Sequence, residues 1–182
     1  MKKAIGMVEF KTVSSGRKAA DRLVKTAEVD IIQADTVCPG KYMVIISGDL
    51  SAVKASVEAA SIADSEQLID SFVLGNPHDS IFPALYGSAE IGSPNALGVL
   101  ETFSAAAAIV AADTAAKTAL VDLIELRLAR GMCGKSYLLL TGEIAAVEAA
   151  IEKAKTGAGG NGMFLDSAVI PHPDAKLWQN IL

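Results

Sequence analysis

Apolar and polar positions follow the same order of elements in each half of the chain. In the first half the pattern predicts a strand, a helix, two strands, a helix, a strand and a short closing helix. Ser14 or Ser15 is expected to cap the first helix, and Asp49 or Ser51 the second. The predicted strands are 4–10, 29–37, 41–49 and 68–75, and the predicted helices are about 15–28, one that begins within 49–60, and 81–86.

The second half of the chain repeats the first. "AIGMVE" at 4–9 returns as "ALGVLE" at 96–101, and "AADRLVKTAEVD" returns as "AADTAAKTALVD" 92 residues later, from 30 to 122 at its last residue. "GKYMVIISGD" returns as "GKSYLLLTGE" 94 residues later, from 40 to 134, and "DSFVL" as "DSAVI" 96 residues later, from 70 to 166. The chain is therefore a tandem duplication with two small insertions.

Each copy has the strand-helix-strand-strand-helix-strand order of the ferredoxin-like unit. This order predicts an α+β fold with an antiparallel sheet and helices on one face, formed twice. We expect one domain at 1–89 and a second at 95–182, with 87–95 as linker. The glycine-rich segment 155–163, "KTGAGGNGM", is expected to be a flexible connection.

Composition excludes several functional classes. Apolar residues make up 51% of the chain, enough for a core, and the net charge is −5 with scattered lysines and arginines, which argues against nucleic-acid binding. We expect no membrane association, because no apolar run approaches the roughly 18 residues that span a bilayer, and the amino terminus does not resemble a signal peptide. The two cysteines lie far apart in sequence, which favours free thiols and a cytoplasmic location.

One of these cysteines lies on a tight turn. Cys38 begins "CPGK" between two predicted strands, where Pro39 fixes one backbone dihedral and Gly40 accepts a positive one. This arrangement is expected to present the thiol rather than bury it. A lone cysteine is more often a small apolar residue than a metal ligand.

Four features together resemble one known family: "AIGMVEF", "ADRLVKTAEV", "CPGKYMVIISGD" and the duplication itself. They are similar to bacterial microcompartment shell proteins of the tandem-domain, trimer-forming class. The resemblance implies a structural, non-enzymatic role as a pseudo-hexagonal homotrimer. Such trimers tile edge to edge with other shell proteins into a sheet that encloses enzymes in the cytoplasm. It also implies that the Cys38 turn is a pore loop facing the central axis.

Within that class, "CPGK" and the ending "SAVIPHPDAKLWQNIL" most resemble the propanediol-utilisation members. That resemblance implies one [4Fe-4S] cluster per trimer at the threefold axis, bound by Cys38 of each subunit, for electron transfer across the shell with a redox enzyme of the compartment. Since a cubane usually has four protein ligands, one iron would be left to water or a small molecule. The alternative is a pore without a cluster that passes metabolites.

The equivalent loop of the second repeat holds the other cysteine. Aligning the Gly-Lys pairs places Met132 opposite Cys38 and Cys133 opposite Pro39. We therefore expect Cys133 to be a partly buried thiol near the pore rim and a minor candidate ligand. The predicted pore-loop residues, besides Cys38, are Pro39, Gly40, Met132, Cys133 and Gly134.

Lys25 and Lys117 lie at the same position of the two repeats and match the family's edge lysines, which pack between neighbouring tiles. The alternative is an ordinary solvated helix face, with ion pairs to Asp21 and Asp113 worth about 0.3–0.5 kcal/mol each. No catalytic constellation is present, and His78 and His172 are interpreted as surface residues. A third class, a small-molecule-sensing trimer, would need a polar cleft with charged anchors.

Overall fold

A computed structural model of the chain describes residues 4–160 and 162–182. It contains two four-stranded sheets, each accompanied by helices. The elements in chain order are β1 (Ala4–Phe10), α1 (Val13–Thr26), β2 (Val29–Val37), β3 (Lys41–Gly48), α2 (Leu50–Ala63), β4 (Leu68–Gly75), α3 (Ile81–Tyr86), β5 (Ala96–Thr102), α4 (Ala105–Thr118), β6 (Val121–Arg127), β7 (Ser136–Gly142), α5 (Ile144–Gly159), β8 (Phe164–Ile170) and α6 (Ala175–Ile181).

The two sheets have the same topology. Their strand orders are β2-β3-β1-β4 and β6-β7-β5-β8, and every pairing is antiparallel. Even the register shifts coincide, since one follows Glu9 in the first sheet and another follows Glu101 in the second. The predicted ferredoxin-like α+β duplication is confirmed.

Small residues on the central strands let helices lie close to the sheets. All seven positions of β1 are buried. A Cβ atom at Gly6 would lie 2.7 Å from the side chains of Val53 and Val57 on α2, and one at Gly98 would lie 2.9 Å from Val147 on α5. Any larger residue at these two positions would push the helix off the sheet, so the two cores depend on glycine at the same place.

The start of α1 differs from the prediction. Neither Ser14 nor Ser15 caps the helix, because Thr12 is the extended residue at its start, with φ −132° and ψ 151°, and its side chain accepts the N–H of Ser15 at 3.3 Å. Ser15 is buried inside the helix. Three hydroxyl residues within four positions offered competing caps. In α2 the predicted Asp49 is the residue at the N-cap position.

The glycine-rich segment is helical over most of its length, so the predicted flexible connection is wrong for 155–159. Helix α5 continues to Gly159. A Cβ atom on Gly157 would lie 3.4 Å from the Thr114 hydroxyl oxygen, so the missing side chain allows close contact with α4. Tertiary packing thus stabilises a helix that local propensity disfavours.

The chain forms two compact units that exchange short segments of the repeats. The first contains the chain up to Pro77 together with Ser104–Ala106 and Ala129–Gly134, which come from the second repeat. The second unit contains the remaining residues, and these include α3 from the end of the first repeat. The domain boundaries 1–89 and 95–182 follow the sequence repeats and stay a prediction.

Candidate functional site

Cys38 lies on a tight turn at the end of the β2–β3 hairpin. The N–H of Gly40 donates to the Val37 carbonyl at 2.9 Å, Gly40 has φ 107°, and the Cys38–Pro39 peptide bond is cis. Cys38 is half-buried with a free thiol, whereas Pro39 and Gly40 are exposed. The bond that closes the turn is made by backbone atoms and does not involve the sulfur.

The loop of the second repeat supports this turn within the same unit. The Cys38 N–H donates to the carbonyl of Ala129 at 2.9 Å. A Cβ atom on Gly134 would come within 3.0 Å of the Cys38 carbonyl oxygen, and Gly134 has φ 88°. Glycine is required at position 134 because a side chain there would crowd the Cys38 carbonyl oxygen and would be strained at a positive φ.

The second loop is also longer than the first. Nine residues lie between the paired Arg127 and Tyr137, against seven between the equivalent Asp35 and Met43. The change in repeat spacing from 92 to 94 is therefore located in this loop. Cys133, with φ 52°, is exposed rather than partly buried, so that expectation is wrong. Met132 is half-buried and Gly134 is buried.

A buried charge cluster lies behind the turn, which we name the Glu9 cluster: Glu9, Lys41 and Asp70 with Ser104 and Ala105. Fully buried Glu9 bonds the Lys41 ammonium at 2.9 Å through Oε1 and accepts the N–H of Ala105 at 2.9 Å through Oε2. The Ser104 hydroxyl donates to Asp70 Oδ2 at 2.5 Å. These contacts hold segment 104–106 in the first unit.

Lys41 connects the Glu9 cluster to the second loop. Its ammonium group also donates to the Gly134 carbonyl at 3.3 Å, and its side chain is only 16% exposed. Sequence reasoning missed this cluster. The available signal was that Glu9, Lys41 and Asp70 return as Glu101, Lys135 and Asp166 in the second repeat.

The predicted edge lysines both form ion pairs within their own helix. Lys25 lies 2.7 Å from Asp21, and both side chains are exposed. Lys117 lies 2.6 Å from Asp113, which is almost fully buried and also accepts the backbone N–H of His78 at 2.8 Å. The pair in the second repeat is therefore more rigidly anchored than the pair in the first. Their role at tile edges stays a prediction.

Neither histidine lies in a group of side chains suited to metal binding. The His78 ring is half-buried and bonds the Ser80 hydroxyl at 2.8 Å, whereas His172 is exposed. Across residues 4–160 and 162–182, no group of three or more His, Cys, Asp or Glu side chains could hold a metal ion. A cluster bound by one copy of this chain alone therefore has no donor set in the described part.

Among the described residues, no helix is long and apolar enough to cross a bilayer.

The second unit has an open groove of about 530 Å³ with a polar wall. Glu125 accepts bonds at 2.6 Å from both the Tyr137 hydroxyl and the Arg127 guanidinium. The guanidinium also lies 5.4 Å from the centre of the Tyr137 ring. Because this arginine is already paired, the groove does not offer a free charged anchor for a small anionic ligand.

Burial, followed by the hydrogen bond to Glu125, raises the pKa of Tyr137 to about 12.

We expect this tyrosine to ionise about two pH units later than an exposed one. Its folded-state pKa lies above the unfolded value, so its stabilising contribution is complete below about pH 10 and is lost as the pH rises through about 12. Tyrosinate absorbance measured against pH should show this late step, and Tyr137→Phe should remove it. A Glu125→Gln variant should move the step to lower pH. A late step that persists in Tyr137→Phe would assign it to another of the three tyrosines.

Comparison with known proteins gives a consistent set of similarities. Residues 4–77 and 96–173 each match the BMC domain family. The chain is 35% identical, over its whole length and 99% of the relative, to the bacterial microcompartment shell protein PduT of Citrobacter freundii. A carboxysome shell protein, CcmK2 of Synechocystis sp., is 32% identical over 43% of this chain and 80% of its own.

A solved structure shows the same architecture. A microcompartments protein from Desulfitobacterium hafniense DCB superposes with a TM-score of 0.84 at 42% identity, covering 98% of this chain and 99% of that one. A fused permuted hexameric shell protein from the RMM microcompartment has a TM-score of 0.63 at 23% identity, covering 85% of this chain and 80% of that one, which supports the fold alone.

Proposed function

The chain belongs to the BMC-domain family of bacterial microcompartment shell proteins, and we propose that it acts as a homotrimeric shell tile whose central pore binds an iron-sulfur cluster. The resemblance seen in the sequence is confirmed, because the domain occurs twice and the PduT similarity covers the whole chain. The trimer, the cluster and electron transfer are proposals. Other shell proteins and a redox enzyme of the compartment are the proposed partners.

The tile is supported by the duplication. Three tandem chains supply six similar domains, and six similar edges can join neighbouring tiles. Lys25 and Lys117 each lie in the last turn of the first helix of their repeat, so they recur at equivalent places around such a ring. A flat sheet follows if these edges associate.

Replacing both edge lysines with alanine is expected to abolish sheet formation and leave the trimer intact. The exposed Lys25–Asp21 pair contributes only about 0.3–0.5 kcal/mol. Loss of Lys117 costs more, because the Asp113 side chain is only 7% exposed, but Asp113 keeps the N–H of His78 as a partner, so the chain should still fold and associate. Electron microscopy would detect sheets, and sedimentation would measure the trimer. A Lys54→Ala, Lys153→Ala variant, changed at two exposed helix positions without an ion pair in the described structure, is the matched control. Sheets formed as readily by the Lys25→Ala, Lys117→Ala protein would exclude the edge role.

The proposal of a cluster is supported by one observation in particular. The thiol of Cys38 is free and half-buried, on a turn that the loop 129–134 supports. The described part of one chain lacks a donor set, but threefold symmetry would bring three copies of the Cys38 thiol together. Three thiolates fit a cubane cluster in which one iron is left to water or a small molecule. When bound, the cluster would supply one-electron transfer. The protein's own contribution is to hold the turn, through the Cys38–Ala129 bond and the close approach of Gly134.

The direct test is iron and sulfide analysis of protein purified without oxygen, together with electron paramagnetic resonance. We expect about four irons and four sulfides per trimer, or about three irons after partial loss of the labile one. A trimer that contains neither iron nor sulfide would favour the alternative, a thiol-lined pore for metabolites. That result would leave the shell role unaffected.

A further inference from the structure

We propose that the second repeat carries an incomplete copy of the Glu9 cluster, and that a neighbouring copy of the same chain completes it. The incomplete copy consists of Glu101, Lys135 and Asp166. Its partner is the start of α1 and the Cys38 turn of the next subunit. The inference rests on the proposed oligomer, and these residues would form the contact between its subunits.

The same residue types have different environments in the two repeats. Glu9 is fully buried, and the Lys41 side chain is 16% exposed. Glu101 is partly exposed, Lys135 is exposed, and in the described part of the chain they form no ion pair with any residue. Sheet register is the same at both places, since Glu9 pairs with Asp70 and Glu101 pairs with Asp166. The difference is therefore the segment that covers Glu9 and is missing over Glu101.

That segment has a counterpart in the first repeat. Ser104 and Ala105, which donate to Asp70 and Glu9, correspond to Thr12 and Val13 by the 92-residue spacing. The hydroxyl is preserved, and both residues stand at the start of the first helix of their repeat. Thr12 is exposed, so its hydroxyl is accessible to a second chain.

The resulting contacts can be stated atom by atom. The Thr12 hydroxyl of one subunit donates to the Asp166 carboxylate of the next, and the Val13 N–H donates to the Glu101 carboxylate. Lys135 then bonds Glu101 within its own chain and the Gly40 carbonyl of the neighbour, as Lys41 bonds Glu9 and Gly134. Gly40 is exposed, and its counterpart Gly134 is buried.

The closing helices give independent support. Helix α3 packs on β6 and buries Ile81 and Ala84. Its counterpart α6 buries none of its residues, and Leu177, which corresponds to Ile81, is 38% exposed against 1%. Strand β2, the counterpart of β6, has one buried position among nine. Helix α6 and strand β2 are therefore both left uncovered. Their counterparts α3 and β6 pack against each other in the second unit.

These surfaces are different from one another, so the contact is heterologous. The second repeat offers Glu101, Lys135, Asp166 and α6, and the first repeat offers residues 12–13, Gly40 and β2. Heterologous contacts form a closed ring when the rotation permits, and otherwise a filament. Repetition of one contact within and between chains favours the ring, because each repeat then has the same surroundings.

Lys135→Met tests the interface. In the assembled oligomer this variant would leave the Glu101 carboxylate buried without its cation. The trimer dissociation constant should therefore rise at least about 30-fold. Lys153→Met, an exposed lysine on α5 with no ion pair in the described structure, is the control and should leave it unchanged. Analytical ultracentrifugation across a dilution series gives the constants, and circular dichroism reports whether the chain stays folded.

A double-mutant cycle separates this contact from general damage. Thr12→Val also removes the cap of α1, and Asp166→Ala also removes the bond to the Ser167 N–H. The cycle subtracts both effects. We expect the double variant to lose several-fold less affinity than the product of the two single losses, since either one alone breaks the shared bond.

Three outcomes are distinguishable. Weakened association in Lys135→Met together with coupling in the cycle supports the inference. A trimer of undiminished affinity in Lys135→Met, or additive effects in the cycle, overturns it while the proposed trimeric tile stands. A wild-type chain that remains monomeric at high concentration overturns both.

Discussion

Replacing Cys38 with serine is expected to remove iron and sulfide completely from the assembled protein while leaving the oligomer intact. In a threefold site the single substitution removes all three thiolate ligands at once. The Val37–Gly40 turn bond and the Cys38–Ala129 bond are made by backbone atoms, so serine retains both. Iron and sulfide analysis would follow the cluster, and light scattering would follow the oligomer.

Cys133→Ser is the matched control, because Cys133 is the only other cysteine and lies on the adjoining loop. We expect it to retain the cluster. If Cys38→Ser kept wild-type iron and sulfide, the pore cluster would be excluded. If only Cys133→Ser lost them, the exposed thiol of the longer loop would be the ligand and the loop alignment would be wrong.

Lys41→Met is expected to lower the free energy of unfolding by about 3–5 kcal/mol. It leaves the carboxylate of Glu9 fully buried without its cation, and removing one partner of a buried ion pair costs this much. It also removes the bond to the Gly134 carbonyl. Urea denaturation at one fixed protein concentration would measure the change, since association contributes to apparent stability.

The control is Lys54→Met, at an exposed position of α2, which should change stability by less than about 0.5 kcal/mol. If Lys41→Met lowered the free energy of unfolding no more than this control does, the Glu9 cluster would contribute nothing to folding. Comparison with Lys135→Met adds a contrast, because the same change in the second repeat should weaken association instead.

The strands were predictable from the sequence because each copy of the repeat confirms the other. β1, β2 and β4 have the predicted ends, and β3 ends one residue earlier than predicted. The helix start at Val13 was not predictable, since Thr12, Ser14 and Ser15 can all accept an amide and tertiary packing chooses among them. The length of α5 was missed for a similar reason, because contact with α4 overrides the weak helix propensity of glycine.

The candidate site was predictable only in part. Cys38 stood out because thiols are rare here and its turn has a recognisable proline and glycine. The Glu9 cluster was missed because a glutamate on an apolar strand gives no local sign of being buried, and the signal lay in the recurrence of Glu9, Lys41 and Asp70 in the second repeat. Its partners, Lys41 and the amide of Ala105, lie 32 and 96 residues away. The loop of the second repeat was likewise seen as an equivalent of the first, whereas its extra length lets it serve as a support.

The unequal loops have an evolutionary consequence. A ring built from identical single-domain chains would place the same loop at every position, so any change there would be made everywhere at once. Joining two copies in one chain frees each loop to change alone. Here the short loop carries Cys38 on its turn, while the long loop supplies the Ala129 carbonyl and the glycine at 134. Duplication thereby allows the chemistry of one loop to change while the other loop keeps the contacts that support it.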